Sequence, residues 1–322
     1  MLAAYAARQS AIDPLSGLQV GERPEPQERE GWTTVQLRAC GLNHHDVWSL
    51  RGVGLPADRL PMILGCDGAG VTDDGREVIV HAVVASPGWV GDETLDPRRT
   101  LLSELHDGTL AERVAVPVSN LVDKPDGLSW EHAACLSTAW LTAYRMLFGH
   151  GVVTPGATVL VQGAGGGVAT ALIQLGEAAG LRMWVTSRDE ARAEQALAIG
   201  ADRVFASGER LPERVDAVME TVGAATWSHS VKSLKDGGAV VISGATSGDA
   251  PSRAELTSIF FRQLRVLGST MGSRAELERL VQLVAQRGIE PAVDSVRPLA
   301  QAREGFERVA DGSAFGKVLF TV

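Results

Sequence analysis

Residues 159–175, VLVQGAGGGVATALIQL, pass from an apolar strand through a cluster of glycines straight into an apolar helix. No other stretch restricts the fold as much. Glycine at such a turn lets the backbone approach a phosphate closely, and the first helical turn offers unpaired N–H groups and the positive end of a dipole. The chain then repeats the alternation. After a first strand-like run at 158–161, others recur at 182–186, 215–219, 239–243 and 266–268, with helix-like segments such as 189–199 and 254–264 between them. That order predicts a doubly wound parallel sheet with helices on both faces. A glycine turn standing first in the series is the place for the pyrophosphate of a dinucleotide, held at Gly166, Gly167 and Val168. Ala169 takes the last glycine position of the fingerprint, where the residue only packs helix against strand.

The end of the second strand bears on which dinucleotide. A carboxylate there would bind a ribose 2′-hydroxyl, but the sequence reads Val185-Thr186-Ser187-Arg188, with Arg192 one helical turn on. Ser187 brings no repulsion and two guanidinium groups suit a 2′-phosphate, so NADPH is expected over NADH. The alternative for Arg188 and Arg192 is a solvated helix face beside Asp189 and Glu190. Later strands end at Thr221 and Val222 and at Ser243, Gly244 and Ala245, on the carboxyl side where open parallel sheets bind ligands.

The flanks have a different texture. Residues 33–39 alternate apolar and polar at the strand period, Asp74-Gly75 precedes Glu77-Val78-Ile79-Val80 like a hairpin turn, and 110–116 alternate again before Pro117. Between them, 86–108 is a charged loop with two prolines, expected at the surface. The division is a β-rich segment 1–136, a dinucleotide-binding segment 137–268, and a tail 269–322 with two amphipathic helices and a closing strand. A chain of 322 residues with 45% hydrophobic content has room for two cores. The net charge of −9 argues against a dedicated nucleic-acid binder, and no apolar run approaches the roughly 18 residues of a membrane span. The first residues lack a signal peptide's layout, and Cys40, Cys66 and Cys135 are too few and too scattered for a disulfide framework. A cytoplasmic protein is expected.

Several motifs in order carry a resemblance: GLNHHDVWSLRG (41–52), LPMILGCDGAGV (60–71), DGTLAERVAVP (107–117), STAWLTAYRML (137–147), the glycine loop, LAIGADRVF (197–205), LKDGGAVVISGATSG (234–248) and FGKVLF (315–320). Over essentially its whole length the chain resembles the medium-chain dehydrogenase/reductase superfamily, in its zinc-independent, quinone oxidoreductase-like branch. The resemblance implies a chaperonin-10-like (GroES-like) catalytic domain interrupted by a Rossmann domain, which accounts for the odd tail. It also implies a homodimer, and 259–261 and 265–268 supply the apolar, strand-forming residues that an uncovered sheet edge needs for pairing.

The same resemblance assigns the site. Zinc-dependent relatives place their three ligands where this chain has Asn43, Cys66 and Thr138, and their acidic neighbour is kept as Asp67. Two of the three ligand types are lost, and the loop that would hold a second zinc on four cysteines has none, so no metal is expected. A rearranged site from Cys66, His44 or His45 and Asp67 is the alternative. Asn43, Thr138 and Thr142 are placed against the cofactor, and Lys317 near its cleft, with a surface lysine as the other reading. His45 falls where relatives begin a proton relay and is the expected proton donor; otherwise it lines the cleft and water supplies the proton. The expected catalytic set is His45, Asn43 and Asp67, while His44 and Asp46 hold the loop and Cys66 is a small buried residue.

A site without a Lewis acid favours hydride addition to conjugated acceptors, whose charge spreads into a phenolate or enolate that a few hydrogen-bond donors can stabilise. The expected activity is NADPH-dependent, metal-independent reduction of a small quinone or α,β-unsaturated carbonyl. The competing readings are a zinc-type alcohol dehydrogenase with a rearranged site and a non-catalytic NADPH-binding or sensor protein.

Overall fold

In the structure, a computed structural model describing residues 1–322, the run after the glycine loop forms one six-stranded parallel sheet. Its strands are β1 (Thr158–Val161), β2 (Arg182–Ser187), β3 (Arg203–Ala206), β4 (Val215–Glu220), β5 (Leu234–Ile242) and β6 (Arg265–Gly268), in the order β3-β2-β1-β4-β5-β6. The order reverses at β1, which is where doubly wound sheets open for a ligand. The central strands read as continuous apolar runs because helices cover both faces; β1 is buried at all four residues. Helices α1 (Gly167–Ala178), α2 (Glu190–Ala198), α3 (Trp227–Ser233) and α4 (Leu256–Phe261) make the crossovers. At the far edge, β6 is mostly exposed, and Phe260 and Phe261 of α4 are 62% and 74% exposed.

The β-rich unit is built on the strand Trp32–Leu42, which pairs with Asp67–Thr72, Arg113–Pro117 and Lys317–Thr321, all antiparallel. The closing strand therefore returns to this unit. Its register sets Val318 opposite Leu42, and that of Asp67–Thr72 sets Asp67 opposite Gly41, so Lys317, Asn43 and Asp67 are gathered at one end of the sheet. An unforeseen strand, Val293–Pro298, runs parallel beside the closing one. The 86–108 loop is less superficial than expected. Asp96 and Ser103 are fully buried, and Asp96 accepts from the backbone N–H groups of Ser86 and Arg98.

The compact units are Met1–Leu141 with Gly272–Val322, and Thr142–Met271. The changeovers fall a few residues after the 136/137 and 268/269 junctions expected from the sequence. The first lies within helical structure, inside the helix Leu141–Tyr144, so no loop marks it.

Candidate functional site

The dinucleotide end of the parallel sheet is shaped by a buried hydrogen-bond chain. Gly163 adopts φ 86°, which favours glycine, and its N–H donates to Thr186 Oγ1 at 3.0 Å. The Thr186 hydroxyl donates to Gln162 Oε1 (2.8 Å), and Gln162 Nε2 donates both to Ser230 Oγ and to His229 Nδ1 (2.9 Å each). Ser230 then donates to Glu220 Oε2 at 2.5 Å. The fully buried Glu220 carboxylate also accepts from the Val222 and Gly223 N–H groups (2.8 and 3.0 Å) and from Thr226 Oγ1. The ends of β1, β2 and β4 are thereby locked together. Sequence reasoning named Thr221 and Val222 but missed Gln162, Thr186 and Glu220, whose trace was a polar residue closing each of three apolar runs. The Val222 N–H is taken by Glu220 and is not available to a cofactor.

Above this chain, Gly166 caps α1 with no side chain serving the first helical N–H groups, and nothing lies within 4 Å of where its Cβ would be. Gly167 and Val168 begin the helix. This is an open cradle for a phosphate anion. The Arg192 side chain lies beside Gly165, 3.3 Å from the position a Cβ there would occupy, while Arg188 is exposed on the preceding loop. Ser187 Oγ bonds within its own turn, accepting from Asp189 N and donating to Asp189 O, and Asp189 caps α2 by accepting from Arg192 N. Thr221 and Val222 are stitched to the loop holding Ser243, Gly244 and Ala245 through Thr246 N to Thr221 O and Ser247 N to Val222 O.

In the β-rich unit, Asn43, Asp67 and Lys317 come together. Lys317 is 2% exposed, and its ammonium donates to Asp67 Oδ2 (2.6 Å), Asn43 Oδ1 (2.8 Å) and Leu42 O (2.8 Å). All three protons are engaged. Lys317 is thus neither a surface residue nor a free cofactor donor; it holds Asn43 and Asp67. Asn43 Nδ2 donates to the same Asp67 oxygen at 2.8 Å, so both ends of the amide are fixed and one Nδ2 proton is left over. Asp67 Oδ1 and Thr138 Oγ1 are buried without a protein partner. Asp46, third residue of the helix His44–Leu50, accepts from Asn43 N and Gly65 N, and burial raises its carboxyl to about 7. His44 is exposed. Thr142 begins the other unit and is buried there. His45 has Nε2 3.6 Å from Oε1 of Glu104, an acid that no motif pointed to.

The comparisons agree with this architecture. Residues 29–126 match the alcohol dehydrogenase GroES-like domain family and residues 167–286 the zinc-binding dehydrogenase family. A solved structure described as an NAD-dependent alcohol dehydrogenase superposes with TM-score 0.91 at 34% identity, covering 100% of both chains. The chain belongs to the medium-chain dehydrogenase/reductase superfamily. Among curated relatives, an alcohol dehydrogenase of Geobacillus stearothermophilus is 28% identical, covering 95% of this chain and 96% of its own. An acryloyl-coenzyme A reductase of Metallosphaera sedula is 29% identical over the same shares, 95% and 96%.

The family raises the question of zinc, and the donors here do not fit it. At the three ligand positions, the Asn43 amide is engaged by Lys317 and Asp67 and the Thr138 hydroxyl is a poor ligand. The Cys66 thiol is pushed well above its ordinary range by burial, and it bonds Leu102 O and Ser103 Oγ at 3.4 Å each. A cation, Lys317, already neutralises Asp67. Nowhere do three His, Cys, Asp or Glu side chains converge as a metal site.

Proposed function

We propose that this protein is an NADPH-dependent, metal-independent reductase of small α,β-unsaturated carbonyls or quinones. The observation that carries the reading is the Lys317–Asn43–Asp67 cluster, which puts a fixed amide donor and a buried ammonium where zinc-dependent relatives hold their metal. The one amide proton left over, held in place by the ammonium, suits an enolate or phenolate oxygen better than the alkoxide of a simple alcohol. The name of the acryloyl-coenzyme A reductase relative, which specifies a conjugated thioester, supports the same substrate class.

When bound, NADPH supplies the hydride. The cradle of Gly166, Gly167 and Val168 receives its pyrophosphate, and Arg188 with Arg192 receives its 2′-phosphate. The NAD-dependent description of one structural relative weighs the other way, but here Asp189 is turned to the α2 N-terminus and does not replace the missing ribose carboxylate. Asn43 directs its remaining Nδ2 proton to the substrate oxygen, with Lys317 and Asp67 setting its angle, and His45 delivers a proton to the reduced carbon skeleton. The exposed β6 edge with Phe260 and Phe261 pairs with a second copy to form a homodimer. No helix is long and apolar enough to cross a membrane.

The test is steady-state consumption of NADPH and of NADH against a panel of enones, an acryloyl thioester, quinones and simple alcohol–aldehyde pairs. Turnover of conjugated acceptors with NADPH, and little with saturated aldehydes, is expected. Turnover of alcohols alone, or of nothing, would reject the reading.

A further inference from the structure

Glu104 lies in the 86–108 loop, outside every motif that pointed to the cofactor or the Asn43 cluster. Its carboxylate and the His45 imidazole are 3.6 Å apart, with side chains 24% and 25% exposed. His45 Nε2, the ring atom facing it, is buried and has no hydrogen-bond partner in the protein. Two backbone features keep the pair together. Ser103 takes a left-handed φ of 65°, held by its N–H to His106 O (2.7 Å) and its hydroxyl against Cys66 Sγ, and this turn presents Glu104. Across from it, Gly54 (φ 83°) has no Cβ; one there would collide with the Glu104 carboxylate and lie 3.7 Å from His45 Cε1. The loop is strained on one side and hollowed on the other around a single acid–imidazole contact.

We propose that Glu104 is the positioning residue of the proton donor: it engages His45 Nε2–H and so leaves Nδ1–H as the atom that protonates the substrate. The logic is that of any carboxylate that fixes one ring nitrogen so that the other acts. The proposal rests on the reading that His45 protonates the reduced substrate. In that step the hydride adds its electron pair at the β-carbon and the former π pair becomes the enolate. The Nδ1–H bond then breaks, a C–H bond forms at the α-carbon, and the imidazolium becomes neutral. Water returns a proton to Nδ1, so each double bond consumes one NADPH and one proton.

Burial lowers the proton affinity of His45, and Glu104 is the charged group that opposes this. Cys66, which also feels Glu104, is kept as a thiol by burial. The sign follows. Enone turnover needs protonated His45, so it falls as pH rises through the His45 pKa, and removing the carboxylate moves that fall to lower pH.

The experiment has two arms on the full-length protein. In the first, the histidine rings are titrated by NMR in wild type and Glu104→Gln, with His45→Asn identifying the His45 signal. Its pKa should drop by about one unit in Glu104→Gln, the size of shift an adjacent charge produces. In the second, Glu104→Gln should cut enone kcat about tenfold at neutral pH while leaving the KM for NADPH and the quinone rate unchanged. Glu104→Asp, which keeps the charge, should recover part of the loss, and adding Glu104→Gln to His45→Ala should cost nothing more. An unchanged His45 pKa in Glu104→Gln overturns the pair, whatever the kinetics. A shifted pKa with an enone rate indifferent to His45→Ala overturns the proton-donor reading on which the pair's role rests.

Discussion

Lys317→Met removes a buried charge while keeping most of its stem. Lys317 Nζ stands 2.6 Å from Asp67 Oδ2, and the two side chains are 2% and 0% exposed. At an effective dielectric near 20, opposite charges at that separation attract by roughly 6 kcal/mol, and the desolvation of both ions offsets much of it. In the variant the attraction disappears while the desolvation of Asp67 remains. Its Oδ2 keeps only the Asn43 amide, and its Oδ1 has no protein partner to begin with. The expected loss is about 3–5 kcal/mol. For a unit of this size that is roughly 6–20 °C in melting temperature. Thermal melts by circular dichroism read the loss, and amide exchange in the strands Trp32–Leu42 and Lys317–Thr321 locates it. The double variant Lys317→Met/Asp67→Leu, which leaves no orphaned charge, should recover more than half. A single variant within about 1 kcal/mol of wild type would refute the account of Lys317 as the counter-charge of this cluster.

Arg188→Ala should weaken NADPH binding by about 1.5–3 kcal/mol and leave NADH nearly unchanged; equal wild-type affinity for the two, by calorimetric titration, would reject the 2′-phosphate assignment. The purified protein should carry no stoichiometric zinc and keep its activity under chelation. About one zinc per chain, lost together with activity, would revive a rearranged site at Cys66. Light scattering at micromolar concentration should give a dimer mass, and charged replacements of Phe260 and Phe261 should shift it toward monomer; a monomeric wild type would reject the edge-pairing proposal.

The parallel sheet was legible because its central strands are apolar on both faces and each is followed by a helix, a pattern that few other folds generate. What escaped the sequence escaped for physical reasons. β3 is a four-residue edge strand in which Arg203 and Ala206 face solvent, so it lacks an apolar run. Val293–Pro298 has no fully buried residue, exposes Val296 and ends in proline, which disguises it as a loop. Helix α4 is shorter than the 254–264 segment suggested, beginning after Glu255 in a left-handed conformation. In the site, residue types were visible but partners were not. Lys317 could be placed near a cleft or on the surface, yet its burial follows only from the antiparallel register of the closing strand against Trp32–Leu42. Glu104 belongs to a loop with no periodicity, and nothing local ties it to His45.

The hydrogen-bond chain from Gly163 to Glu220 separates two properties that are usually discussed as one. The shape of the nucleotide cradle is fixed by interior groups, Thr186, Gln162, Ser230 and Glu220, each with a defined direction of donation. In the function proposed above, the chemical identity of the nucleotide is read by Arg188 and Arg192, which lie on the loop and first turn outside that interior. A lineage built on this plan can therefore exchange one dinucleotide for another through changes in a few solvent-facing side chains, while the interior that holds the cradle open is inherited intact. Changes to the interior run the opposite way: the Gly163 N–H and the Gln162 amide can only donate as they do, so replacing one link leaves its neighbour's polar atom buried without a partner.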